Sequence, residues 1–115
     1  MDTKSALVLS LFVLSPSVAL AQNERQPAKS EAGGAFMRAN RKMMRSMKKM
    51  HPSANADKDL VMMMIPHHKG AINMAKVELR YGKSTELRTM AKSIIASQSK
   101  EISTMKSWRD KHAKK

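Results

Sequence analysis

Met63 and His67 stand four residues apart, as do Met64 and His68, and Met74 lies seven beyond His67. On a helix each four-residue pair sets a thioether and an imidazole side by side on one face. Thioether sulfur is soft, uncharged and never protonated, so it suits Cu(I) and its mimic Ag(I), while imidazole serves either copper oxidation state. The chain has no Cys, which excludes disulfides and thiolate sites. No Glu stands three residues before a His, so the Glu-x-x-His pairs of a di-iron bundle are absent, and so is the His-Glu-x-x-His pattern of a zinc enzyme. A second reading stays open. Methionine is an adaptable core residue, and a Met stripe by itself fits packing as well as ligation. Adjacent His67 and His68 point about 100° apart on a helix, so one of them can simply face solvent.

The elements that must position these residues are helical. From Ala35 to Met50, the apolar residues Phe36, Met37, Met43, Met44, Met47 and Met50 recur at helical spacing, and Arg38, Arg41, Lys42, Arg45, Lys48 and Lys49 fill the other face. No Leu, Ile or Val occurs between Gly33 and Asp59, so this face is built from Phe, Ala and Met. Pro52 ends the helix after His51, and a short turn brings Met47, Met50 and His51 near the start of helix two, so that His51 is a metal candidate as well. Asn55 or Asp57 can cap that second helix, which runs through Val61, Ile65, His68, Ile72, Ala75 and Leu79 to Tyr81 and Gly82. Gly82 suits a left-handed cap, and Pro66 is expected to kink the helix by removing the bond to the Met62 carbonyl. Ser84 caps helix three with Glu86 in its first turn. Leu87, Ala91, Ile94, Gln98, Glu101, Met105 and Trp108 then continue at three-four spacing over roughly 40 Å. With no strand pattern and short connections, the expected fold is all-α, a small antiparallel bundle of three main helices over 35–112 with a basic tail at 113–115.

The N-terminus reads as a secretory signal over 1–21. Lys4 supplies a weak positive region, Ala6 to Leu14 an apolar stretch, Ser15-Pro16 a break, and Ala19-Leu20-Ala21 a cleavage site. Cleavage there leaves 115 − 21 = 94 residues and implies the periplasm. Residues 22–34 are polar and glycine-rich without periodicity, the pattern of a disordered leader. A domain this small, with one Trp, one Tyr and two Phe among 115 residues, has few anchors for a core.

The string from Met63 through Pro66-His67-His68, Gly70-Ala71 and Met74-Ala75 resembles the family known as domain of unknown function 305, which includes CopM-type copper-binding proteins. Similarity continues through Tyr81-Gly82-Lys83, Glu86-Leu87-Arg88, Ala91-Lys92, Ile94-Ile95, Gln98, Glu101-Ile102, Met105 and Trp108, and so covers roughly Phe36 to His112. The resemblance implies an exported, ferritin-like helical domain linked to copper binding and tolerance. Carried over by position, it implies metal ligation by Met63, Met64, His67, His68 and Met74, with Met44 and Met47 on helix one and Met105 on helix three as further candidates. The chain departs from the usual pattern at Ser53-Ala54-Asn55-Ala56-Asp57, where Thr-Gly-Asp-Ala-Asp is typical, and at Leu60, where Phe is usual.

Gln98 and Glu101 occupy seam positions of helix three, where burial without a partner costs a few kcal/mol. One of them is expected to accept a hydrogen bond from the ring nitrogen of His67 or His68 that is not on the metal. A pairing with Lys69 or Arg88 is the alternative.

The function expected is sequestration or carriage of Cu(I), with Cu(II) as a second oxidation state and Ag(I) as mimic. Partners would be the ion, a protein that donates or accepts it, and a second copy of the chain. A net charge of +13 supports a rival reading, a basic envelope protein on anionic lipid or polyphosphate. Scarce aromatics and the export signal argue against a specific nucleic-acid partner. Enzyme chemistry is not expected, because there is no Cys, no phosphate-binding loop and no carboxylate pair at useful spacing.

Overall fold

The computed structural model describes residues 30–113. The signal segment, the leader up to residue 29 and the last two residues of the tail lie outside the described residues. Three helices account for the fold: α1 (Glu31–Lys48), α2 (Ala56–Tyr81) and α3 (Thr85–His112). Among the described residues there is no strand, and no helix is long and apolar enough to cross a membrane.

Each helix starts on a side-chain cap. Ser30 accepts from the Gly33 amide at 3.0 Å, Asn55 from Lys58 at 3.0 Å and Ser84 from Leu87 at 3.3 Å. Such oxygens satisfy amides that the first turn leaves unpaired. The Ser30 cap starts α1 at Glu31, earlier than the Ala35 expected from the apolar pattern. Residues 31–34 are therefore helical rather than leader: Glu31 suits the positive end of the helix, and two glycines are tolerated in its first turns. α2 runs unbroken through Pro66.

The expected left-handed cap at Gly82 is corrected. Gly82 is extended, at φ −72° and ψ 147°, and no described residue has positive φ. What demands glycine there is space: a Cβ would lie 2.7 Å from the Glu78 carbonyl oxygen and would also strike the Glu78 side chain. Arg88 finishes the end of α2 by donating to the carbonyls of Leu79 (2.5 Å) and Gly82 (3.2 Å).

α2 is the middle of the structure. α1 and α3 each pack along it, antiparallel, but nowhere do Cα atoms of α1 and α3 approach within 8 Å. Short connections at 49–55 and 82–84 enforce that order. Val61, Ile65, His68, Gly70 and Ala75 of α2 and Ala91 and Ile102 of α3 are buried, whereas α1 has no buried residue. α1 instead docks through Met43, which lies over Gly70: a Cβ on Gly70 would stand 2.8 Å from the Met43 Cβ and clash with the rest of that side chain. The hydroxyl of Tyr81 donates to Glu31 Oε1 at 3.0 Å and ties the start of α1 to the end of α2.

Candidate metal centre

The nine residues singled out for metal do not form one cluster. Met64, His68 and Met105 line one cleft of about 290 Å³ between α2 and α3, together with Leu60, Glu101 and Thr104. Met47, His51 and Met63 line another of about 150 Å³ at the α1–α2 turn, with Met50, Pro52, Asp59 and Met62. Met74 sits in a groove with Phe36, Met90 and Ile94, among packing residues. Met44 is 54% exposed on the outer face of α1, beside Arg41, Arg45 and Lys48. His67 is exposed, its ring centroid 6.2 Å from that of His68. Helical geometry accounts for this scatter, since a 26-residue helix packed on both sides turns its methionines toward different neighbours.

The α2–α3 cleft is the better organised of the two. Met64 and His68 are one helical turn apart on α2, and Glu101 and Met105 are one turn apart on α3, so two adjacent pairs face each other across the interface. His68 is 7% exposed, and its Nε2 lies 2.5 Å from Glu101 Oε2. Of the two seam residues it is thus Glu101 that meets a histidine, and of the two histidines it is the buried one. Arg88, an alternative partner for the seam, is occupied at the end of α2.

The pair fixes the tautomer of a neutral ring. A carboxylate only accepts, so Nε2 carries the hydrogen, and Nδ1 holds the lone pair. Nδ1 is buried with no hydrogen-bond partner, as is Gln98 Oε1. A buried lone pair left unpaired is costly unless something occupies it. A carboxylate on the far nitrogen is the arrangement that orients a metal-binding imidazole and raises its basicity. With two thioethers in the same cleft, the donor set is neutral and soft, and it fits a soft monovalent ion.

The turn cleft is more open. His51 is exposed, and Met63 is 50% exposed. Asp59 holds the turn there by accepting from the Ser53 amide at 2.7 Å. Met62 and His112 are residues that the methionine-histidine spacing does not single out. The signal for His112 is its four-residue separation from Trp108, the same helical repeat that relates Met64 to His68.

The family model described as Domain of unknown function (DUF305) matches residues 8–109. The chain belongs to that family. No curated protein matches it.

Proposed function

We propose that the chain is an exported, periplasmic copper-binding protein that sequesters or carries Cu(I), and Ag(I) in its place, without turnover. It would thereby contribute to copper tolerance or homeostasis. The ion is cargo, held by His68, Met64 and Met105, with Glu101 orienting the imidazole. The observation that carries this reading is the buried, unpartnered Nδ1 of His68, a residue that lines one cleft with the two thioethers. Soft thioether donors beside an imidazole favour a soft monovalent ion over Zn(II), Mg(II) or Ca(II). His51, Met47 and Met63 form a second, more exposed methionine-histidine group from which an ion can be handed to or from a partner protein.

Titration with Cu(I) under reducing conditions, against a competing chelator, tests the reading. The double variant Met64→Leu/Met105→Leu keeps volume and apolarity, so its helical content should be retained while Cu(I) affinity falls by about tenfold or more. Unchanged affinity would reduce those methionines to packing. The thermal midpoint should rise by several degrees with Ag(I) and stay nearly fixed with Mg(II).

A second reading draws on α1, where Met37 and Met44 are exposed among Arg38, Arg41, Lys42 and Arg45. That surface suits peripheral contact with anionic lipid. Such binding should weaken steeply with salt, whereas soft-metal binding by neutral ligands should hardly respond.

A further inference from the structure

A different cavity, of about 450 Å³, opens where all three helices converge at the turn end of the molecule. Met50 just beyond the end of α1, Met62 from α2, and Trp108 and His112 from α3 line it; none of these belongs to the α2–α3 cleft, while Met50 and Met62 also border the turn cleft of Met47, His51 and Met63. We infer that it is a further Cu(I) or Ag(I) site, with His112 and the thioethers of Met50 and Met62 as ligands and the indole of Trp108 as a lid. The inference rests on the soft-metal reading above.

The histidine is prepared for this role. His112 Nδ1 lies 2.7 Å from the carbonyl oxygen of Trp108. A carbonyl only accepts, so Nδ1 carries the hydrogen and donates, and the neutral ring keeps its lone pair on Nε2. Backbone carbonyls fix ligating imidazoles in this way. The ring is held further by stacking on Trp108, with centroids 4.3 Å apart and planes 17° from parallel. His51, the other histidine near this end, is exposed and has no such restraint. The indole face adds attraction for a cation. Lys58 and Arg109 also line the cavity, and the charge of Arg109 is answered by Asp110 at 3.0 Å. This cavity, unlike the α2–α3 cleft, would hold the end of α1 to the other helices through Met50, two residues beyond Lys48.

Trp108 is the one Trp in the chain and lines this cavity, so its fluorescence reports on an ion bound there. The experiment is an Ag(I) titration of the full chain, with Trp fluorescence and dialysed silver content followed together. The expected result is a saturable change in fluorescence and a fall of one silver equivalent in His112→Phe, which keeps a ring against Trp108. Silver affinity at the fluorescent site should drop by about tenfold or more in that variant. Met50→Leu/Met62→Leu, which conserves volume, should do the same should His112→Phe fail to fold. His68→Phe should leave the fluorescence response in place. Silver bound with silent fluorescence, or an unchanged response in both the His112 and the methionine variants, overturns the site while leaving the copper reading standing. Absence of any bound silver overturns both, and a response to Zn(II) equal to that for Ag(I) overturns the soft-ligand assignment.

Discussion

The α2–α3 pair and α1 are held by different chemistry. Between α2 and α3 lie Val61, Ile65, Ala75, Ala91 and Ile102, all buried, and the His68–Glu101 pair. α1 brings no buried residue and no Leu, Ile or Val between Gly33 and its end; it rests on Met43 over Gly70, on Phe36 and on the Tyr81–Glu31 hydrogen bond. Aliphatic residues of fixed shape define one packing, whereas methionine adapts to several. The lesson is a division of labour: a helix pair specifies the fold, and a pliable, basic helix attaches to it where a ligand can influence the attachment.

The largest effect should come from the pair itself. Ile102→Ala removes buried aliphatic volume and should cost about 2–5 kcal/mol. Chemical denaturation followed by circular dichroism should show all three helices lost together, because α1 has nothing to dock on without α2–α3. A variant in which α1 survives the loss of the pair would reverse the assigned hierarchy.

Gly70→Leu acts on α1 alone. The added side chain meets Met43 directly, and overpacking of this kind costs about 1–3 kcal/mol, partly offset by the higher helix propensity of Leu. Amide hydrogen exchange should accelerate across α1 while the centre of α2 and of α3 keeps its protection. Uniform acceleration would mean that the three helices open as one unit.

How much of this was legible in the sequence follows the same boundary. The caps at Asn55 and Ser84, the helical periodicities, and a contact between the α3 seam and one histidine all follow from spacing and short polar side chains. They depend on neighbours in the chain. The start of α1 was missed because Ser30 caps a segment whose glycines carry no apolar signal. Gly82 was misread because glycine serves close approach as well as positive φ, and only coordinates separate the two. The metal-candidate residues were legible by type but not by grouping. Spacing places Met63 beside His67 as readily as Met64 beside His68, and only the packing of α3 decides which pair is enclosed.

A smaller effect is expected at the seam. Glu101 is more than half exposed, so Glu101→Gln should change stability by less than about 1 kcal/mol. The amide oxygen still accepts from His68 Nε2 but without its charge, so Cu(I) affinity should fall by up to about tenfold while helical content is unchanged. A loss of stability without a loss of affinity would make the pair structural. It would also move the candidate centre away from the rigid half of the molecule.

The smallest effect reports on the tether of α1. The hydrogen bond from Tyr81 to Glu31 raises the phenol above its ordinary 10.0, helped by burial; Arg80 opposes the rise, the charge of Glu31 reinforces it, and Arg38 opposes it. Because the folded-state value is the higher one, the contribution of this hydrogen bond is fully present below pH 10 or so and is lost as pH rises through the folded-state value. Tyr81 is the one Tyr in the chain, so its ionisation can be followed by ultraviolet absorbance without interference from another phenol. The midpoint should lie above 10.0, and Glu31→Gln should bring it back toward that value, since the substitution removes both the charged acceptor and its field. Silver bound in the cavity that includes Met50 should leave this midpoint in place, because Met50 lies just beyond the far end of α1 from Glu31. An ordinary midpoint in the unsubstituted chain would mean that the first turn of α1 is not held against α2, and that Met43 on Gly70 carries the attachment.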